Sequence, residues 1–172
     1  VVIGIDASGS TAAPVSGGPA RQPGSIFARG STVLDMEKHF AMILHDAIVS
    51  LGGTVEVLAF NSTTSTNVYR AMSRRAISAF VPDQANRDGD FIRYVTDNLL
   101  RSDDENRYFF FLSDGMPCAL NYSGEEAFED AALAMRQAVG AGINLIYINV
   151  DSGSCDYFNT FRDHASSAVR CA

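Results

Sequence analysis

Three runs in this chain are apolar almost without alternation: Val1 to Ile5, Tyr108 to Leu112 and Ile143 to Val150. A strand that is apolar on both faces must be covered on both, and helices packed on either side of a parallel sheet do this within one chain. Between the runs the apolar spacing turns helical. Met36, Phe40, Ile43, Leu44, Ala47, Ile48 and Leu51 form one stripe within Thr32 to Leu51, and Phe91, Val95 and Leu99 form another within Asp90 to Leu100. Thr32 with Asp35, and Ser123 with Glu126, have the spacing of capping boxes, while Gly52, Gly53 and then Gly140 or Gly142 offer stops. Thr54 to Asn61 reads as a strand, Thr63 to Tyr69 as a short edge strand, Ala71 to Phe80 as a short helix, and Asp156 to Ala168 as a last helix. The order β-α-β-β-α-β-α-β-α predicts an α/β domain, doubly wound and Rossmann-like, with a largely parallel sheet, helices on both faces and right-handed crossovers.

With 172 residues, 47% of them hydrophobic, the chain can bury one good core and is too short for two ordinary domains, so 1–172 reads as a single domain. Val1 enters a strand pattern at once, without an initiator Met or a signal segment, as in a domain excised from a longer polypeptide. The stretch 11–31 is rich in proline and glycine and poor in large apolar residues, which predicts a long loop bordering the site below. A formal charge of -7 argues against nucleic acid as a partner and favours a cation. No window is apolar for long enough to span a membrane. The three cysteines match no zinc spacing and suggest reduced thiols in a cytoplasmic protein, with a Cys155 to Cys171 bridge as the alternative.

In sheets of this type ligands bind beyond the carboxyl ends of the strands, where the chain order reverses. Oxygen-bearing side chains collect in those loops: Asp6, Ser8 and Ser10 after the first strand, Asp114 in Ser-Asp-Gly after Tyr108 to Leu112, and Asn86 to Asp90 ahead of a helix. Hydroxyls and carboxylates without thiols or imidazoles suit a hard cation, Mg²⁺ first and Mn²⁺ or Ca²⁺ as alternatives. His39, His45 and His164 lie outside these loops, and Cys118, although four residues past Asp114, is expected to be a packed thiol. No His or Lys stands in the ligand loops to serve as a base, so catalysis by this chain alone is not expected.

Asp6-Ala-Ser-Gly-Ser10 after a buried strand, with Ser113-Asp114-Gly115 at the tip of a later one, resembles the metal-ion-dependent adhesion site of von Willebrand factor A (vWA) domains. The resemblance covers essentially the whole chain. It implies metal ligation by Asp6, Ser8, Ser10 and Asp114, with a partner protein's Glu or Asp completing the shell. The family carries Thr-x-x-Gly before the middle helix, where this chain has Asn86-Arg87-Asp88-Gly89. That register puts Asn86 at the ligand position through its amide oxygen. Asp88 is the stronger donor, and a third carboxylate would bind metal tightly and repel a partner's acid. The Asn-x-Asp-Gly element and Leu112-Ser-Asp-Gly-Met-Pro117 further resemble the A domain of the CobT-type cobaltochelatase subunits, which implies work beside an AAA+ ATPase in a cobalt or magnesium chelatase complex. An adhesion-type vWA domain is the other reading the family offers.

Overall fold

The computed structural model describes residues 1–15, 31–150 and 156–171, with the backbone alone at 156 and 157. The elements are β1 (Val2–Asp6), a single 3-10 turn (Gly9–Ala12), α1 (Val33–Ser50), β2 (Glu56–Ser62), β3 (Thr66–Ala71), α2 (Arg74–Ser78), α3 (Asp88–Leu100), β4 (Tyr108–Ser113), α4 (Gly124–Gly140), β5 (Asn144–Asn149), α5 (Asp156–Arg162) and β6 (Ser167–Arg170). They build one six-stranded sheet in the order β3-β2-β1-β4-β5-β6. Only β3 runs antiparallel; every other pairing is parallel. The expected α/β architecture is present, and the chain order reverses between β1 and β4.

Alternation along the strands divides the core in two. Val2, Leu58, Phe60, Phe109, Phe111, Leu145 and Tyr147 face α3, α4 and α5, whereas Ile3, Ile5, Val57, Ala59, Leu112 and Ile148 face the first two helices. Gly4 explains how closely α3 approaches: a Cβ there would lie 2.5 Å from the Phe91 ring. That ring stacks on Phe60 at 4.0 Å between centroids. The helix so seated starts immediately behind the tip of β1.

Several expected boundaries move. The Thr32–Asp35 capping box forms, but Ser123 makes no side-chain cap and α4 starts instead from Gly124 at φ +61. The short helix predicted over Ala71 to Phe80 shrinks to α2, capped by Ser73, because Ala71 completes β3. The predicted last helix stops at Arg162, and Ser167–Arg170 pairs with β5 as an edge strand. Four residues, only Ala168 and Val169 of them apolar, give too short a pattern to read as a strand. The expected stripe of α1 keeps Met36, Phe40, Leu44 and Ile48 against the core, leaves Ile43, Ala47 and Leu51 exposed, and takes in Val33, Leu34, Glu37 and Ala41 on the buried side.

Most of the 11–31 loop and Cys155 fall outside the described residues. The two flanks of that loop are joined, Pro14 bridging Thr32 and the Val15 amide donating to the Ser31 carbonyl at 3.1 Å. No helix among the described residues is long and apolar enough to cross a membrane.

Candidate cation site at the switch point of the sheet

β1 ends by placing Asp6, fully buried, at the reversal between β1 and β4. The Ser8 amide donates to Asp6 Oδ1 at 2.8 Å, which bends the chain back over the strand end. Ser8 Oγ and the exposed Ser10 Oγ then lie 3.0 Å apart. Thr11 Oγ1 donates to the Ser8 carbonyl at 2.7 Å, fixing this turn from behind. Gly9 docks on the middle loop through its amide, 2.8 Å from the Gln84 carbonyl; a Cβ on Gly9 would stand 3.0 Å from that oxygen. Glycine permits this close approach.

The middle loop is tied to both neighbours, Ala85 bridging Ser62 and Asn86 bridging Cys118. Asn86 Nδ2 donates to Asp6 Oδ2 and to Asp88 Oδ1, each at 2.9 Å, while its Oδ1 accepts from the Cys118 amide at 3.0 Å. A backbone donor at one end and two carboxylates at the other assign the amide unambiguously. Asn86 therefore turns its NH₂ group towards the carboxylates of Asp6 and Asp88 and its oxygen towards the backbone. From β4, Ser113 Oγ lies 3.4 Å from an oxygen of both Asp6 and Asp88. The Gly115 amide holds that hydroxyl at 3.0 Å. Gly115 has φ +76, and a Cβ there would fall 2.6 Å from the Tyr147 hydroxyl. Asn149 Nδ2 donates to the Asp114 carbonyl at 3.0 Å and the Met116 amide to Asp114 Oδ1 at 3.0 Å, so β5 orients the last acid of the set.

Asp6, Ser8, Asp88, Asn86 and Asp114 thus come together in the interior, with Ser10 at the solvent side. Burial first, then the charge of Asp114, pushes the Asp6 carboxyl up to about 7 against the hydrogen bonds from Ser8 and Asn86. Burial followed by the charges of Asp6 and Asp114 raises Asp88 well above the ordinary carboxylate range. A further acid joins them that the sequence pattern did not single out. Glu37, on the second turn of α1, is fully buried, and burial with the charges of Asp6 and Asp114 raises it strongly as well. The Asp6 amide offsets part of this without reaching hydrogen-bond geometry, and neither carboxylate oxygen of Glu37 has a hydrogen-bond partner. The signal was present: Glu37 stands four residues from both Val33 and Ala41, in the middle of a buried stripe.

Among the described residues no Lys, Arg or His pairs with Asp6, Glu37 or Asp88. Nor do three His, Cys, Asp or Glu side chains among them converge tightly enough to form a metal-holding group by themselves. A cation here would need the serine hydroxyls together with the acids, a donor set that fits hard divalent ions and not thiophilic ones. His39 and His45 sit on α1 against Asp35 and Asp46, away from this point. Cys118 is an exposed free thiol, not the packed one expected, because its backbone is what the middle loop uses.

No protein-family profile matches the chain, and no curated protein is detectably similar to it in sequence. Solved structures are similar in fold. The vWF domain of the type V pili tip protein Mfa5 from Porphyromonas gingivalis superposes with TM-score 0.68 at 9% identity, over 99% of this chain and 88% of that one. BatB from Bacteroides thetaiotaomicron gives 0.61 at 16%, over 99% and 88%. The PilB minor pilin from Streptococcus sanguinis gives 0.65 at 14%, over 99% of this chain and 56% of its own length, so this chain spans little more than half of that pilin. Sheet order, the single antiparallel edge and these superpositions together establish a von Willebrand A-like α/β fold.

Proposed function

We propose that this domain is a cation-dependent recognition module of the adhesion type, holding a divalent ion, Mg²⁺ in the first place, with Asp6, Ser8, Ser10, Asp88 and Asp114. The observation that carries the reading is the gathering of buried carboxylates at the β1–β4 reversal, with no basic partner for Asp6, Glu37 or Asp88 among the described residues. Uncompensated charge at such depth costs several kcal/mol per ion, on the order of the whole stability of a small domain, unless protons or a cation neutralise it. The pilus-derived proteins among the structural neighbours support adhesion as the setting. Isothermal titration of the metal-free domain with Mn²⁺ and Mg²⁺ tests the site: a single saturable event, abolished by Asp6→Ala, is expected. Absence of binding, or binding indifferent to that substitution, would refute it.

The charge count bears on the partner. Asp6, Asp88 and Asp114 already exceed the charge of a divalent ion, so a neutral oxygen, a hydroxyl or a carbonyl, completes the shell at lower cost than the acidic side chain the family pattern implies. Water-proton relaxivity of the Mn²⁺-loaded domain separates the two, since acetate entering the shell displaces a water. Relaxivity unchanged by acetate is the expected result; a clear fall would restore an acidic partner.

A second reading, a non-catalytic part of a CobT-like chelatase or AAA+ ATPase-associated assembly, rests on the Asn86-Arg87-Asp88-Gly89 element, whose Asn86 closes the site by bridging two carboxylates. It predicts retention of such an ATPase from the same organism on the immobilised metal-loaded domain, and no retention after metal removal. The two free thiols Cys118 and Cys171 are compatible with the cytoplasmic setting this reading needs.

A further inference from the structure

We infer that Glu37, on α1, is a fourth carboxylate of the same cation site. The inference rests on the cation reading above and extends it to a residue outside the Asp-Ala-Ser-Gly-Ser pattern.

Three observations converge on Glu37. Its side chain is fully buried, yet both carboxylate oxygens lack a hydrogen-bond partner. A glutamic acid kept neutral for packing would place its hydroxyl on an acceptor and receive a donor on the other oxygen, since an unsatisfied buried carboxyl costs about 1–3 kcal/mol. Glu37 does neither. The groups whose charges reach it are Asp6, Asp114 and Asp88, the acids already assigned to the ion, and no basic side chain among the described residues pairs with it. Its placement is fixed by the backbone: the Val33 amide donates to the Ala13 carbonyl at 3.0 Å, which ties the start of α1 to the turn carrying Ser10. One turn further on, the buried stripe of α1 lies against the end of β1, and Glu37 is its only charged member. Apolar neighbours in that stripe, Val33, Leu34 and Ala41, show that an uncharged residue would have packed there. An acid in their midst, with its oxygens unused, is what a ligand or a close outer partner of a cation looks like before the cation is counted.

The test compares the intact domain with Glu37→Gln, which keeps shape and removes charge, and Glu37→Met, which also removes the polar group. Mn²⁺ affinity is followed by calorimetry and by the electron paramagnetic resonance signal of free Mn²⁺, and metal-free stability by thermal melting. Expected is a loss of about 10- to 100-fold in Mn²⁺ affinity for both variants, the range for carboxylates that support a metal site, with metal-free melting temperatures equal to or above that of the parent. If the parent binds Mn²⁺ and both variants bind it equally well, Glu37 is no part of the site and only this inference falls. If the parent binds no Mn²⁺, the cation reading itself falls. If neither variant folds without metal, Glu37 is a structural acid and the inference is overturned.

Discussion

Asp88 and Asp90 stand two residues apart on the first turn of α3, and they live in opposite electrostatic worlds. Asp88 is fully buried, touched by the Asn86 amide and the Ser113 hydroxyl, and surrounded by other acids. Asp90 accepts from Arg87 Nε at 2.7 Å and lies 3.5 Å from Arg93 Nη1. Arg93 in turn pairs with Asp130, which also receives the Tyr122 hydroxyl at 2.9 Å, while the Arg87 guanidinium sits 4.4 Å above the Tyr122 ring. Burial would raise Asp130, but the hydrogen bonds from Arg93 and Tyr122 with the charges of Arg93 and Arg87 hold it below the usual range. In one cluster every charge has its counterpart and the fold needs nothing more. In the other, Asp6, Glu37 and Asp88 are buried together without a basic partner among the described residues, and such burial favours their protonated forms. Uncompensated burial, more than acidity as such, separates a candidate binding site from a stabilising surface network.

The largest effect should come from exchanging the two acids. Asp88→Asn is expected to lower Mn²⁺ affinity about 100-fold or more and to leave the metal-free domain as stable as before or more so, because it removes a buried charge. Asp90→Asn should leave affinity unchanged within about twofold and lower stability by about 1 kcal/mol or less. Equal losses of affinity in calorimetry would erase the distinction between the clusters. Gly89 lies between them, and a Cβ there would stand 2.0 Å from Asp130 Oδ2. Gly89→Ala should therefore cost about 1–3 kcal/mol in chemical denaturation, and adding Asp130→Ala should recover part of the loss if the clash is its cause.

The pH response sharpens the same contrast. Asp6 binds its proton more tightly in the folded state, with a pKa pushed up to about 7, than at its ordinary value of 3.8. The folded chain then holds more protons than the unfolded one between those values, so stability present below pH 4 is lost as pH rises towards 7. The metal-free domain should melt at a lower temperature at pH 8 than at pH 5, reflecting a loss of stability on the order of 1 kcal/mol or more, and saturating Mg²⁺ should remove the difference. Asp130 has the opposite sign, contributing stability above its unfolded pKa and losing it only at more acid pH. A melting temperature that rises from pH 5 to pH 8 without metal would contradict the assignment of Asp6. The smallest effect belongs to the exposed pairs: raising NaCl to about 1 M should cost well under 1 kcal/mol through Arg93, Asp90 and Asp130.

The sequence by itself determined the layer architecture, because apolar runs such as Tyr108 to Leu112 have to be covered on both faces and the intervening helical stripes supply the cover. It also determined that Asp6, Ser8 and Asp114 share a strand-end neighbourhood, since the reversal of chain order in such a sheet brings the tips of β1 and β4 together. Local pattern did not reveal β6, whose four residues gain strand geometry only from pairing with β5. It did not fix which end of Asn86 faces the acids either, because that is decided by the Cys118 amide, thirty-two residues away in the chain. Glu37 was decided by tertiary structure in the same way. A glutamate on an amphipathic helix is ordinarily solvated, and only the packing of α1 over β1 buries this one where the charges of Asp6, Asp114 and Asp88 reach it. Hydrophobic periodicity is a property of neighbours in sequence, whereas the charge a buried group must answer to is the sum over neighbours in space.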